Sequence, residues 1–235
     1  MCSHYIIEEE YYMSKMYEAG VSKCYLYPVN SNASAGANPY DSGVAWPGIT
    51  SISENPSGGD ITNLYADNGK YAQLQAAEEF GATVEAYMYP DEFAECDGSA
   101  SLGTGLGATF GQQTRKMFGL SYRTEYFDSE TGTNYYKLHL VYGLNAQPSE
   151  RAYETINDSP DAITFSWEMS STPVSFTMNN SSYSTSIVTV DSKTASQAGL
   201  AALESLLYGN TSGATTTNPK LPLPAEVITA LSTTG

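Results

Sequence analysis

The chain has 235 residues, 41% of them hydrophobic, with 26 Asp and Glu against ten Lys and Arg, for a net charge of -16. It is long enough to bury roughly 70% of its unfolded surface without disulfides, and no run of about 18 apolar residues marks a transmembrane helix. Proteins that grip phosphates draw their affinity from clustered basic residues and counterion release, and so scarce and scattered a set of cations excludes that class.

The first twelve residues differ in character from the rest. Glu8, Glu9 and Glu10 are followed by Tyr11, Tyr12 and Met13. Glu codons are purine-rich, so three in a row can spell a ribosome-binding sequence, with AT-rich Tyr codons as spacer. On this reading residues 1–12 are a translated leader, the start is Met13 or Met16, and residues 13–235 form one domain. The alternative is a genuine N-terminal arm. The segment is not a secretory signal, because no basic region precedes an apolar core.

A first strand is expected over residues 23–29. A long loop rich in Asn, Ser, Ala and Gly follows over 30–43. Residues 44–53 have strand character, with a kink or bulge at Pro47-Gly48. Ile61–Ala66 and Tyr71–Leu74 flank the tight turn Asp67-Asn68-Gly69, where Asn and Gly tolerate positive φ, so residues 59–76 read as a β-hairpin. Over 80–89, Val84, Ala86 and Met88 alternate with Glu85, Tyr87 and Tyr89, and one helical turn is expected at Asp91–Glu95. The glycine-rich stretch 97–111 reads as a loop.

The strongest strand signal lies in Phe118, Leu120 and Tyr122 and then in Leu138, Leu140, Tyr142 and Leu144. These predict an antiparallel hairpin with one buried face. Ile163–Met169, Val174–Met178 and Ile187–Val190 extend the pattern. One clear helix is predicted over Thr194–Tyr208, with Leu200, Leu203, Leu206 and Leu207 on one stripe and Gly209 at its end. A Thr-rich linker, 211–218, leads to a short helical segment at Ala225–Leu231. The sum is mainly β, about nine or ten strands, in an antiparallel sandwich or partly closed barrel with one flanking α-helix.

Signatures of chemistry are sparse. The two histidines, His4 and His139, come with no nucleophile elbow, and HExxH, P-loop and GxGxxG patterns are missing. The three cysteines, Cys2, Cys24 and Cys96, show no CxxC spacing and read as free thiols. The acidic group Asp91, Glu92, Glu95 and Asp97 reads as a solvated turn, with paired glycosidase carboxylates as the alternative. No catalytic, cofactor or metal residues are assigned, and no enzyme activity or cofactor is expected.

Four stretches, in order and spacing, carry a resemblance: Leu64–Tyr71; Gly81–Phe93, a strand ending in Pro-Asp-Glu-Phe; the Phe118–Leu144 hairpin followed by Ile163–Trp167; and Leu206–Gly209 followed by Leu221–Ile228. Together, from about Tyr17 to Leu231, they resemble the major tail proteins of long-tailed bacteriophages that infect Gram-positive, Firmicutes-type hosts; residues 1–12 depart from the pattern. The resemblance implies a structural role in the virion, assembled in the bacterial cytoplasm. Subunits would form hexameric rings, and rings would stack into a hollow tube around a tape-measure protein, between tail-tip and tail-terminator proteins, with DNA passing through the lumen unbound. The acidic composition suits such a wall. Candidate inter-subunit contacts are Tyr65, Asp67, Asn68, Lys70 and Tyr71 on the hairpin, and Tyr40 and Trp46 in and after the long loop. The alternative is another β-rich virion or surface protein, an adhesin or a capsid decoration protein.

Overall fold

The computed structural model describes residues 15–34, 37–103, 106–153, 155, 162–178, 180–210 and 217–232. The proposed leader, His4, Cys2 and most of the Thr-rich linker lie outside the described residues. The chain begins with β1 (Met16–Pro28), β2 (Val44–Ala45) and β3 (Ile49–Glu54). A projecting ribbon follows, made of β4 (Ser57–Gly58), β5 (Ile61–Ala66), β6 (Gly69–Gln75) and β7 (Glu78–Glu79). Next come β8 (Gly81–Ala86), the short α1 (Phe93–Cys96), β9 (Ala100–Ser101) and β10 (Thr109–Phe110). The two long strands β11 (Phe118–Asp128) and β12 (Asn134–Ala146) precede β13 (Phe165–Ser171), β14 (Val174–Met178), β15 (Ser181–Thr185) and β16 (Ile187–Asp191). Two helices, α2 (Gln197–Tyr208) and α3 (Pro224–Leu231), complete the described chain.

The main sheet is antiparallel, in the order β2-β1-β11-β12-β13-β8-β3, with β16 also paired to β12. It curls so that residues from nearly all its strands meet in one cluster: Cys24 and Leu26 of β1, Phe118, Leu120 and Tyr122 of β11, Val84 and Ala86 of β8, Trp167 and Met169 of β13, with Phe93 and Trp46. Trp167 is fully buried, its ring centroid 5.6 Å from that of Trp46 and 5.1 Å from that of Phe93. A second cluster lies on the opposite face of β1, β11, β12 and β16, where Tyr27, Leu138, Leu140, Tyr142 and Val190 receive Leu200, Leu203 and Leu207 of α2 and Val227 of α3. The long hairpin is therefore buried on both faces over Phe118–Tyr122 and Leu138–Leu144, not on one as its alternation implies. Leu206, expected on the helix's apolar stripe, is exposed.

The expected barrel closure does not form: among the described residues no hydrogen-bonded strand pair joins the two edges of the sheet. The chain itself crosses between them, from β2 on β1 to β3 on β8, through Trp46-Pro47-Gly48. Pro47 has no N–H to donate to a ladder and Gly48 has φ +85°, so the strand breaks there.

A β-bulge controls β12. Leu120 faces Val141, but Phe118 faces Leu144, so Tyr142 and Gly143 together oppose Gly119. Gly143 has φ +59°, a conformation glycine adopts without Cβ strain. The extra residue reverses the alternation: Leu138, Leu140 and Tyr142 face the helices, whereas Leu144 and Ala146 face the first cluster. It also forks the sheet, because β12 pairs with β16 over Lys137–Val141 and with β13 over Leu144–Ala146. Gly143 N–H donates to Tyr40 Oη at 2.9 Å, and its carbonyl accepts from Thr172 N–H at 2.8 Å.

Buried tyrosines tie the helical layer to the sheet. Tyr27 Oη donates to the Leu207 carbonyl at 2.8 Å, and Tyr142 Oη to the Pro222 carbonyl at 2.9 Å. The N-terminus of α2 is capped by Ser196, whose Oγ accepts from Gly199 N–H at 3.1 Å.

Several expectations shift by a few residues. β1 begins at Met16, earlier than its apolar part, because its exposed first half pairs with the far end of β11. β8 ends at Ala86, leaving Met88 exposed, while Tyr89 turns back onto Phe93, Phe165 and Trp167. β15 carries no apolar alternation and is held by its pairing with β14.

A Cβ added at Gly143 would lie 2.3 Å from the Thr172 carbonyl oxygen. Gly143→Ala should therefore destabilise the fold by about 2 kcal/mol or more, read as a lower urea midpoint with an unchanged slope.

Candidate functional site: an exposed arm on an open sheet

The ribbon β4–β7 stands away from both clusters. Between Ile61 and Gln75 every residue is exposed except Ala72, which is half-buried. The exposed residues include Ile61, Leu64, Leu74, Tyr65 at 72% and Tyr71 at 77%. An isolated two-stranded ribbon gains little from its own burial, so its order comes from local chemistry. Asp67 and Asn68 sit at the tip with φ +50° and +60°, the conformation of a type I′ turn whose twist matches the flanking strands. The sequence places the turn on Asp67-Asn68-Gly69; the structure puts its central pair at Asp67-Asn68 and starts β6 at Gly69. Leu64 faces Ala72 and Tyr65 faces Lys70, so Tyr71 is the extra residue of a bulge, and bulges re-aim side chains.

The seven sequence-derived contact candidates thus divide. Tyr65, Asp67, Asn68, Lys70 and Tyr71 gather at the exposed end of the arm. Tyr40 and Trp46 are buried within their own chain, Tyr40 against Tyr142 and the bulge, and Trp46 in the first cluster with Nε1 donating to the Met88 carbonyl at 2.9 Å. Their side chains serve the core and are no part of the surface. The described part of loop 30–43 is also anchored: Asn38 Nδ2 donates to the Leu221 carbonyl at 2.7 Å and Gly43 N–H to the Pro219 carbonyl at 2.8 Å.

The cations are largely engaged. Arg115, Lys116, Arg123, Lys137, Arg151 and Lys220 pair with carboxylates, and Lys23 and Lys193 lie over the rings of Tyr208 and Tyr135. Among the described residues no basic cluster is left to hold a phosphate backbone.

The acidic turn is only partly solvated. Asp97 is buried between Arg115 and Arg151, and Glu95 pairs with Lys116 at 3.2 Å. No group of three or more His, Cys, Asp or Glu has metal-binding geometry among the described residues. Cys24 and Cys96 are free and buried; burial pushes both thiols up, Cys96 to about 12, so neither is a thiolate at neutral pH. A groove of about 270 Å³ lies between Met16, Tyr17, Glu18, Tyr126, Lys137, Asp191 and Lys193. Its polar groups are mutually engaged, Lys137 with Glu18 at 2.7 Å and Tyr126 Oη with Asp191 at 2.6 Å.

His139, which alternates with Leu138 and Leu140 on β12, is buried. Its ring stacks on Tyr122 with centroids 4.6 Å apart, Nε2 lies 2.9 Å from Thr124 Oγ1 and Nδ1 lies 3.4 Å from Thr189 Oγ1. Glu54 Oε1 is 3.7 Å from Nδ1 and accepts from Tyr122 Oη at 2.5 Å. Burial lowers the histidine below its ordinary value, against the opposing pull of Glu54 and Glu18. This cluster was invisible in the sequence, because Glu54 of β3 and Thr189 of β16 join the β11–β12 hairpin from far along the chain.

The chain matches no protein-family model and no curated protein sequence.

The lowered value of His139 sets a pH dependence. The unfolded chain takes up the proton first as pH falls through about 6.5, so stability is retained above that value and lost below it. His139→Gln should flatten the fall in urea midpoint between pH 7.5 and 5.5 relative to the parent; equal slopes for the two proteins would show that His139 contributes nothing to it.

Proposed function

We propose that this chain is the structural subunit of a phage tail tube, forming hexameric rings that stack into a hollow tube through which DNA passes. One observation carries the reading: an arm with no fully buried residue presents apolar and tyrosine side chains to solvent from an open antiparallel sheet. An exposed ribbon of this kind is an aggregation liability unless a partner covers it. A second copy is the natural partner in a symmetric assembly, since each subunit then offers one arm and receives another.

Charge supports the same reading. Copies carrying -16 repel one another, yet between Ile61 and Gln75 the charged residues are Asp67 and Lys70, which cancel. The arm is therefore a neutral approach surface on an acidic protein. The acidic remainder, with most of its cations already engaged, suits a wall along which DNA slides without adhering. The order and spacing of the four tail-protein-like stretches point the same way. In this reading the further partners are the tape-measure, tail-tip and tail-terminator proteins, and the protein resides in the virion.

Negative-stain electron microscopy of the concentrated full chain should show hollow tubes or six-fold rings. Persistent monomers, even with a tail-tip nucleus supplied, would instead favour an adhesin or a decoration protein. Replacing residues 61–75 by a short glycine turn between Asp60 and Ala76, whose backbones are bonded at 3.0 Å, should abolish assembly. The thermal midpoint should stay within about 2 °C, because surface changes away from the core rarely exceed a few tenths of a kcal/mol. Tyr65→Ser with Tyr71→Ser should likewise weaken assembly and spare stability.

A further inference from the structure

The arm continues the β3–β8 ladder through Ser57 and Gly58, which face Glu79 and Glu78, and through Ala76 N–H, which donates to the Asp60 carbonyl; one contact at its root leaves that line. Glu54 is the last residue of β3, separated from the ribbon by Asn55 and Pro56 alone. Its backbone belongs to the β3–β8 ladder, opposite Ala82. Its side chain instead crosses the open side of the sheet to β11, where Tyr122 Oη donates to Oε1 at 2.5 Å, and lies 3.7 Å from His139 Nδ1 of β12. No backbone ladder joins β3 to β11 or β12, so this contact ties the root of the arm to the middle of the sheet directly.

The receiving end is held firmly. The Tyr122 ring is buried and stacked on His139 at an interplanar angle of 7°, and His139 lies between the hydroxyls of Thr124 and Thr189. Glu18 and Lys137, themselves paired, are the other charged groups acting on His139. A phenol fixed in this way defines where the carboxylate must sit. Outward of Glu54 the ribbon is held by backbone pairing and by two glycines with positive φ. Asn55 N–H reaches the Gly81 carbonyl at 2.8 Å, and then Gly58 and Gly59 follow at φ +81° and +73° before the arm begins.

We propose that Glu54 and Tyr122 are positioning residues, and that their hydrogen bond fixes the direction in which the arm leaves the sheet. The contact stands on the geometry of the single chain; its consequence, alignment of the arm for stacking, rests on the tube reading.

Hydrogen exchange on the monomer of the full chain, at constant pH, tests it. Glu54→Ala and Tyr122→Phe should each speed exchange of the amides of residues 49–59 and 77–86 by about tenfold, as expected for losing a hydrogen bond to a charged acceptor. The amides of Leu138–Tyr142 serve as the core reference and should not change. Glu54→Gln, which keeps an oxygen for the phenol, should restore most of the protection. Parent-like exchange at the root in both disrupting variants overturns the proposal. If Tyr122→Phe loosens the whole core, Glu54→Ala decides: acceleration confined to the root supports the contact, and acceleration that is uniform or missing overturns it. Tube formation is scored separately. Tubes from the parent with no root effect leave the function standing and remove the contact. A root effect with no tubes does the reverse.

Discussion

Double burial of β11 and β12 is the constraint on which the rest of this fold depends. An antiparallel sheet can leave one face to water, but here the helices cover one face and the curled sheet itself covers the other. A strand buried on both sides has no solvent face on which to place an error of register, so its alternation must be correct along its whole length. The bulge at Gly143 meets that demand. It turns Leu144 and Ala146 toward the first cluster and lets one strand serve two partners, β16 and β13. Tyr40 and Thr172 lock it through the glycine's own N–H and carbonyl, so the only residue type that fits the backbone is also the one that leaves room for these neighbours.

That rigid centre explains how the chain can carry an arm that contributes nothing to its own stability. The two clusters supply the buried core, including both tryptophans, Trp46 and Trp167. What remains on the ribbon is exposed, and its shape is set by turn and bulge chemistry alone. The nineteen tyrosines divide on the same principle. Tyr27, Tyr40 and Tyr142 are buried with their hydroxyls bonded to backbone, whereas Tyr65 and Tyr71 are surface residues whose area is free for a partner. The proposed tube uses the second group and depends on the first to hold the platform still.

The arm was readable because its signals are local. Alternating strands around Asp-Asn-Gly specify a hairpin wherever they occur, and α2 was readable from its leucine spacing and from Gly209. The long hairpin was readable as strands but not in its faces. Leu138, Leu140, Tyr142 and Leu144 keep a perfect period of two on paper, and nothing but Gly143 hints that the last of them turns over. Likewise β15, Ser-Ser-Tyr-Ser-Thr, has no amphipathic period, because its order comes from β14 beside it. Tyr40 and Trp46, in and after the long polar loop, stand among the sequence-derived contact candidates. They are core residues because that loop folds back onto Leu221 and Pro219 at the other end of the chain.

The division follows the range of the forces. Period, turn residues and helix caps act over a few neighbours, so the sequence by itself determined that this is a mainly antiparallel β chain with a late helix and an exposed hairpin, and strongly acidic. Whether the sheet closes, which way each long strand faces, and which polar groups meet were decided only in the tertiary structure. Pro47-Gly48 breaks the strand that would have sealed the sheet, and Glu54 and Thr189 meet Tyr122, Thr124 and His139 only because β3 and β16, distant in the chain, curl onto the β11–β12 hairpin. Those outcomes depend on contacts between residues far apart in the chain, whose energies no local window contains.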